Sequence, residues 1–208
     1  MGSVLSVNLA DVRIIERRGK PVRTGIWKLP AVGRVHAGRE GLAGDVQADR
    51  RVHGGPDMAV YSYAREDEDW WETQLGRELA NGAFGENLTL RGVDVTAARV
   101  GERWRIGKAL LEVSAPRIPC WKLGVKMDDP HFVKTFARAL RPGAYLRVIE
   151  EGELAGGDDV ELLERPDHAV SVGLIAEAYL ADHSLAPRLL AADALPDSWR
   201  DWATARAA

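Results

Sequence analysis

The sequence predicts a mainly β protein: a β-barrel with a few peripheral helices, followed by a small three-helix extension at the C-terminus. Two observations lead to this fold class. Between residues 3 and 163, short β-branched and apolar runs alternate with glycine or proline turns about every 8–12 residues, a spacing typical of barrels and sandwiches. After Pro166 the apolar residues follow a helical repeat instead.

The N-terminal half supplies short strands and one helix. Arg18 and Gly19 belong to a predicted hairpin turn. Segment 65–78 is predicted to be helical, because its first turn is acidic, as the helix dipole prefers, and because Trp70 and Trp71 provide apolar contacts. The predicted strands are residues 3–7, 12–15, 22–27, 32–35 and 59–63.

The second half continues the β pattern with two helices inserted. A hairpin is expected around Gly107, and a short helical piece follows Cys120. Segment 130–140 is amphipathic, with Phe132 and Phe136 on its apolar face, so it is predicted to be a helix. Segment 84–90 is predicted to start a strand with a turn at its head, and the further strands predicted here are residues 103–106, 110–113, 144–149 and 160–163.

The change of pattern near residue 166 predicts two parts, a barrel domain at residues 1–166 and a three-helix extension at residues 167–208. Ser171 can cap the first helix of the extension. Pro187 can open the second helix and Pro196 the third, since proline is tolerated in the first turn of a helix.

Composition excludes several classes of function. The 208 residues are 46% hydrophobic and 28% charged with a net charge of −3, and basic residues do not cluster with aromatics, so nucleic-acid binding is not expected. No apolar run approaches a membrane span, and the N-terminus lacks a signal-peptide pattern. A single cysteine suits a reducing compartment, so we expect a cytoplasmic protein; the oligomeric state is not indicated.

That cysteine, Cys120, lies in an unusual segment. Pro116 and Pro119 prevent a helix or a strand from continuing, so the chain must leave the sheet in a stiff extended turn. Arg117 and Lys122 flank the thiol, and positive neighbours lower the pKa of a thiol. The interpretation is a reactive or metal-ligating thiolate; the alternative is an inert buried cysteine.

The glycine-rich segment 41–57 is a second candidate region. Its backbone N–H groups can converge into an anion-binding concavity, with His53 and Gly54 at one end. Alternatively, the segment is a cluster of tight turns in which Asp45 and Asp49 form Asx turns.

Three further polar residues are candidates for ligand contacts. Asn87 could present its amide to the edge of a heterocycle, or it could only close a turn together with Glu86. Thr24 and Lys28 are four residues apart near a strand end and could reach one anion together.

The combination of these segments is more specific than any one of them. It resembles the MOSC domain family, named for the C-terminal domain of molybdenum cofactor sulfurase, and in particular bacterial YiiM-like members with a three-helix extension. The resemblance covers residues 3 to 165. In chain order the motifs are residues 41–45 (GLAGD), Asp49, residues 53–57 (HGGPD), residues 84–88 (FGENL) and residues 116–120 (PRIPC).

The resemblance implies a MOSC-type barrel that holds the molybdenum cofactor, with Cys120 as the catalytic residue and the thiolate ligand of the metal. Soft sulfur ligands suit such a centre. The residues implied in binding the pterin and its phosphate are Thr24, Lys28, Arg51, His53, Gly54, Asn87 and Arg117. Met58 departs from the family pattern, in which a basic residue follows the HGGPD run; Arg50 or Arg51 could replace that cation.

The activity implied by the resemblance is oxidoreductase: reduction of small N-hydroxylated compounds such as hydroxylaminopurines, amidoximes or hydroxylamines. No flavin or nicotinamide motif is present, so a separate reductase must donate electrons. An alternative is a carrier of the cofactor or of sulfur without an organic substrate of its own. A third possibility is a cysteine hydrolase with His53 as the base. Pyridoxal phosphate, sometimes associated with the family, is not expected, because no lysine stands out with partners for its ring.

Overall fold

The computed structural model of the protein describes residues 2–48 and 54–207. Its N-terminal strands are β1 (Gly2–Ala10), β2 (Arg13–Arg17), β3 (Lys20–Thr24), β4 (Lys28–Pro30), β5 (Val35–Gly38), β6 (Gly41–Leu42) and β7 (Val60–Ala64). The later strands are β8 (Leu88–Arg91), β9 (Arg103–Ile106), β10 (Ala109–Pro116), β11 (Ala144–Glu150), β12 (Gly152–Leu154) and β13 (Asp159–Glu164).

The α-helices among these residues are α1 (Arg65–Leu75), α2 (Trp121–Met127), α3 (Phe132–Ala139), α4 (Val172–Leu180) and α5 (Asp197–Thr204). Two stretches of 3₁₀-helix accompany them, at Pro56–Met58 and His183–Ala191. In the part of the chain described, no helix combines the length and the apolar character that crossing a membrane requires.

Seven strands close into a barrel in the order β13-β9-β10-β11-β7-β8-β1, and β1 pairs back onto β13 through Gly2 and Val160. All of these pairings are antiparallel except β7 with β8. Strand β4 continues the sheet beyond β1, while β2 and β3 form a separate hairpin. The predicted mainly β barrel fold is therefore confirmed.

The barrel interior is filled by alternating strand residues. In β9, Trp104 and Ile106 point inward and are buried, while Arg103 and Arg105 are partly exposed. Burial of each large apolar side chain of this kind contributes about 1.5–3 kcal/mol to stability. Strand β10 is buried along its whole length. Its C-terminal end, directly before Arg117, is therefore held in place by the barrel.

An aromatic cluster packs α1 and α3 against the outside of β7. Its members are Tyr63, Trp71, Phe84, Phe132 and Phe136. The Trp71 and Phe136 rings stack at 5.6 Å, and the indole N–H of Trp71 donates to the Tyr63 hydroxyl at 2.9 Å. This cluster forms a rigid support behind the segment that carries Arg117, whose guanidinium lies 5.9 Å from the Phe136 ring.

The C-terminal extension packs in a separate apolar cluster that includes Ile175, Leu189 and Leu195 and also Val100 from the preceding part of the chain. Ser171 caps α4 as predicted, accepting a hydrogen bond from the Leu174 N–H at 3.0 Å. The middle helix differs from the prediction, because Pro187 lies inside a 3₁₀ stretch that begins at His183. At nine residues, this stretch is longer than most 3₁₀-helices.

Three predicted boundaries were wrong, two of them because of a glycine with positive φ. The strand predicted at residues 22–27 ends at Thr24, and β4 begins only at Lys28. The strand predicted at residues 32–35 is replaced by a bend, since Gly33 has a φ of 78°, and β5 starts only at Val35. Helix α1 stops at Leu75 because Gly76 takes the left-handed conformation and its N–H bonds to the Glu72 carbonyl.

A buried pair of carboxyl groups joins α1 to the turn before β8. Glu86 accepts hydrogen bonds from the Phe84 N–H at 3.0 Å and the Thr89 hydroxyl at 3.0 Å, so it closes this turn. Burial, followed by repulsion from Glu86 and hydrogen bonding to it, raises the pKa of Glu68 well above its ordinary value. Arg65 Nη1 donates to Glu68 Oε2 at 3.1 Å and offsets this rise only in part, so Glu68 holds its proton to a higher pH in the folded state than in the unfolded state.

Replacing Glu68 by glutamine should stabilise the protein at alkaline pH. The folded state keeps a proton that the unfolded state releases above a pKa near 4.5, so wild-type stability falls as pH rises through this window. Relative to the Glu68→Gln variant, the free energy of unfolding of the wild type should fall by at most about 1.4 kcal/mol per pH unit. Urea unfolding from pH 4.5 to 8.5 measures it; the exposed Glu78→Gln serves as the control. A constant difference between wild type and Glu68→Gln across this range contradicts the assignment.

Candidate functional site

A cavity of about 110 Å³ lies where the loop between β3 and β4, the turn before β8, the end of β10 and the start of α2 meet. Five of the predicted site residues line it together: Thr24, Lys28, Asn87, Arg117 and Cys120. Residues distant in sequence therefore converge on one space, which makes it the candidate functional site.

Cys120 occupies the position that the flanking prolines predict. Strand β10 ends at Pro116, and Cys120 is the extended residue directly before α2, with a φ of −121° and a ψ of 170°. Its side chain is half-buried at the cavity wall, and Lys122 lines the same wall from the first turn of α2. The thiol is thus presented by a rigid segment that contains two prolines.

Arg117 is the most unusual side chain of the cavity. It is only 7% exposed, and its Nη1 atom has no hydrogen-bond partner among the described residues. Burial by itself lowers the pKa of Arg117, but Tyr61, Tyr145 and the Cys120 sulfur act in the opposite direction, so the net pKa is raised. A permanently charged guanidinium with an unpartnered donor is costly unless a ligand completes it.

Tyr61 and Tyr145 were missed by the sequence analysis. They face each other across the β7–β11 pairing, with ring centroids 5.4 Å apart, and both line the cavity. The Arg117 guanidinium lies 5.3 Å from the Tyr61 ring, a cation–π distance. Cross-strand register brings the two tyrosines together, and a single sequence carries no signal for that register.

Lys28 and Asn87 are already engaged with Asp45. One Asp45 carboxylate oxygen accepts from Lys28 Nζ at 2.5 Å, and the other accepts from Asn87 Nδ2 at 2.8 Å. Asn87 Oδ1 accepts from the Tyr61 N–H at 3.1 Å, while burial outweighs Asp45 and lowers the pKa of Lys28. Asp45 therefore forms no simple Asx turn; it joins two walls of the cavity. The assignment of Lys28 and Asn87 to a cofactor stays a prediction.

Removing the Asp45 carboxylate should be strongly destabilising. In Asp45→Ala the Lys28 ammonium and one Asn87 donor are left buried without their partner, at an expected cost of about 3–5 kcal/mol in urea unfolding. Adding Lys28→Met to Asp45→Ala should recover much of that loss, because the buried charge is then gone. Equal stability of Asp45→Ala and the double variant rules out this role for the pair.

The remaining predicted site residues are Thr24, which lines the cavity, Gly54, Arg51 and His53. Thr24 ends β3, and its hydroxyl accepts from the Ile26 N–H at 3.2 Å. Gly54 is described but is not among the residues that line the cavity. Arg51 and His53 lie outside the described residues, so the hydrolase alternative with His53 as base is not tested by the structure.

Met58 gives the cavity an apolar surface where the family pattern has a cation. It lines the wall from the 3₁₀-helix Pro56–Met58. The cationic side chains in the described part of this wall are Lys28, Arg117 and Lys122. The suggested replacements, Arg50 and Arg51, lie outside the described residues.

A neighbouring cavity of about 430 Å³ extends the site toward the β5–β6 hairpin and shares Asp45 and Gln47 with it. Gln47 donates to the Glu40 carbonyl at 3.0 Å, but its buried Oε1 has no partner among the described residues. The two cavities together offer an unmatched donor at Arg117 and an unmatched acceptor at Gln47.

A sequence profile of the MOSC domain matches residues 49–161, which include Asn87, Arg117 and Cys120. The chain belongs to the MOSC domain family. This MOSC protein is similar to the uncharacterized protein YflK of Bacillus subtilis, with 40% identity over 201 residues, covering 95% of this chain and 91% of YflK. The fold is similar to the crystal structure of YiiM from Geobacillus stearothermophilus, with a TM-score of 0.82 and 30% identity over 100% of both chains.

A third relative places the MOSC sequence within a longer chain. A protein named reductase from Gibberella moniliformis is 34% identical over 152 residues. That alignment covers 71% of this MOSC protein but only 27% of the reductase.

The cavity residues of this MOSC protein fit the molybdenum cofactor with which the family is associated. Cys120 offers a soft sulfur ligand, and Arg117 Nη1 is a charged donor that still needs an acceptor, as a pterin or phosphate oxygen would provide. The unmatched Gln47 Oε1 could accept from a pterin N–H. Within residues 2–48 and 54–207, no group of three histidine, cysteine, aspartate or glutamate residues is placed to hold a metal ion by itself.

Proposed function

We propose that this MOSC protein is a molybdenum-cofactor-dependent oxidoreductase that reduces small N-hydroxylated compounds. The observation that carries the proposal is Arg117, a buried guanidinium with an unpartnered Nη1, in the same cavity as the single cysteine of the chain. Membership in the MOSC family and the relative named reductase support it.

The reaction removes oxygen from nitrogen. The N–O bond of the substrate breaks, an N–H bond forms, and the oxygen leaves as water, with two electrons and two protons consumed. The cofactor supplies the two-electron redox chemistry when it is bound. The electrons come from a separate reductase, because the sequence contains no flavin or nicotinamide motif.

The residues of this chain bind and orient. Cys120 would be the protein ligand to molybdenum, and Arg117 would hold an anionic or carbonyl oxygen of the pterin. Burial raises the pKa of the Tyr145 hydroxyl, and the nearby Arg117 offsets this only in part, so Tyr145 keeps its proton and can donate to a ligand. Lys122, on the same wall, adds a further cationic donor.

The donor protein is the partner that the proposal requires. The alignment with only 27% of a relative named reductase means that most of that protein lies outside the MOSC-like part. We propose that electron donation to this chain is performed by a separate protein, as the absence of a flavin or nicotinamide motif already predicts.

The proposal is tested by loading the purified protein with molybdenum cofactor under anaerobic conditions. Reduced methyl viologen serves as the electron donor and benzamidoxime as the substrate, so that the natural donor is not needed. We expect benzamidine to form with about one equivalent of molybdenum per active chain, and none to form with protein that has not been loaded.

Two other results discriminate between the alternatives. Stoichiometric binding of the cofactor without reduction of benzamidoxime, hydroxylamine or 6-hydroxylaminopurine would indicate the carrier function. Failure of the protein to retain any molybdenum or pterin after loading would contradict the oxidoreductase proposal altogether.

A further inference from the structure

A third cavity adjoins the 110 Å³ cavity of the candidate site, here called the central cavity, and is termed the outer cavity. Its volume is about 410 Å³, and it shares Met58, Cys120, Lys122 and Tyr145 with the central cavity. The remaining lining residues are mostly apolar: Arg17, Pro116, Ile118, Pro119, Trp121 and Trp199. Its volume falls within the range of ordinary small-molecule sites.

Trp199 reaches this cavity from the C-terminal extension. It belongs to α5, and its ring packs edge-to-face on Tyr179 at 5.2 Å and on Trp202 at 6.0 Å. One side of the indole is therefore fixed by the helices of the extension, while the ring also lines a cavity bounded by the barrel. The sequence pattern gave no reason to place this tryptophan near Cys120.

An arginine of the barrel contacts the segment that precedes α5. Arg147 of β11 donates to the Ala194 carbonyl at 2.9 Å, three residues before α5 begins, and pairs with Glu112 at 2.9 Å. It also pairs with Asp57 at 2.5 Å, next to Met58. The same guanidinium thus positions both the segment before Trp199 and the 3₁₀-helix that carries Met58.

A second tryptophan that lines the outer cavity, Trp121, is also held in place. Trp121 follows Cys120 directly, and the Arg17 guanidinium of the β2–β3 hairpin lies 4.6 Å from its ring centroid. Ordered aromatic side chains of this kind favour flat aromatic ligands, because ring contacts add about 0.5–1.5 kcal/mol beyond the burial of area.

We infer that the outer cavity binds the planar aromatic ring of an N-hydroxylated substrate, with its N–O group toward Cys120, and that Trp199 is a specificity-determining residue. This inference rests on the proposed function for the identity of the reacting group. It assigns the helical extension a direct part in substrate binding: flat aromatic amidoximes and hydroxylamines are favoured over small aliphatic ones.

Binding is tested without turnover, using the full chain and adenine as a flat probe that cannot be reduced at an N–O bond. Calorimetry should show that Trp199→Ala weakens adenine binding about tenfold, which corresponds to about 1.4 kcal/mol. The matched control Trp70→Ala removes an indole from α1 that neither lines the cavity nor contacts Trp199, and its affinity should stay within twofold of wild type. Trp199→Phe, which keeps an aromatic ring, should stay within threefold, so it separates loss of the ring from loss of folding.

Turnover then tests substrate choice. For loaded enzyme with reduced methyl viologen, Trp199→Ala should raise the KM for benzamidoxime about tenfold, so the ratio of kcat/KM for benzamidoxime to kcat/KM for hydroxylamine should fall about tenfold relative to wild type. Absence of adenine binding to wild type, equal binding by Trp199→Ala, or an equal effect on both substrates overturns the inference. Adenine binding that depends on Trp199 in a protein that reduces no N-hydroxylated compound supports the aromatic site and contradicts the proposed reaction.

Discussion

Replacing Cys120 by serine is expected to abolish reduction of N-hydroxylated compounds, lowering kcat at least about a thousandfold, while leaving the fold intact. The thiol lies at the cavity wall directly before α2, outside the barrel core, so the loss of sulfur should cost little stability. A hydroxyl is a poor substitute for a thiolate toward a soft metal centre. The measurement is benzamidoxime turnover per bound molybdenum, together with the thermal midpoint of the unloaded protein.

The control for Cys120→Ser is Ser114→Ala, which removes a buried hydroxyl a short distance upstream on β10. The Ser114 hydroxyl donates to backbone carbonyls of Asp57 and Tyr145 at 2.5 and 3.0 Å. Its loss should lower stability by about 1–2 kcal/mol without removing activity from the folded protein. Undiminished turnover per molybdenum in Cys120→Ser would exclude Cys120 from its assigned role.

Replacing Arg117 by methionine should make the unloaded protein more stable and should weaken its binding of the cofactor. The guanidinium is buried and carries an unpartnered Nη1, and it is compensated by the Tyr61 and Tyr145 hydroxyls and the Cys120 sulfur but by no carboxylate hydrogen bond among the described residues. Exchanging such a charge for an apolar side chain of similar length is often stabilising, here by about 1 kcal/mol or more. Cofactor affinity should fall at least about tenfold, because a charge-assisted hydrogen bond is lost.

Arg147→Met provides the matched comparison for Arg117→Met. Arg147 pairs with the carboxylates of Asp57 and Glu112 and with the Ala194 carbonyl, so its replacement should cost about 2 kcal/mol or more. Urea unfolding of the two unloaded variants should therefore shift in opposite directions. If both variants are destabilised to the same degree, the Arg117 charge is satisfied in the unloaded protein and serves a structural purpose.

Local sequence signals predicted the turns and the helix cap well, because these features depend mainly on residues that are close together in the sequence. The hairpin at Arg18 and Gly19, the turn at Gly107 and the cap at Ser171 all form where expected. Closure of the barrel between β1 and β13, and the parallel pairing of β7 with β8, join segments far apart in sequence. Such pairings are set by long-range register, which periodicity does not encode.

The site was predictable where a motif places a functional group in a rigid local frame. The prolines around Cys120 made its position clear, and Arg117 follows from the same segment. Tyr61, Tyr145 and Trp199 were missed, because each enters a cavity through strand register or docking of the extension. Asp45 was identified as a loop residue, but its pairing with Lys28 depends on the same tertiary contacts.

The central claim is that the Cys120 sulfur ligates the molybdenum of a pterin cofactor in the cavity beside Arg117. X-ray absorption at the molybdenum K-edge, on loaded wild type and loaded Cys120→Ser, tests it most directly. The account predicts one fewer sulfur neighbour around molybdenum in the variant. The same number of sulfur neighbours in both proteins would contradict it.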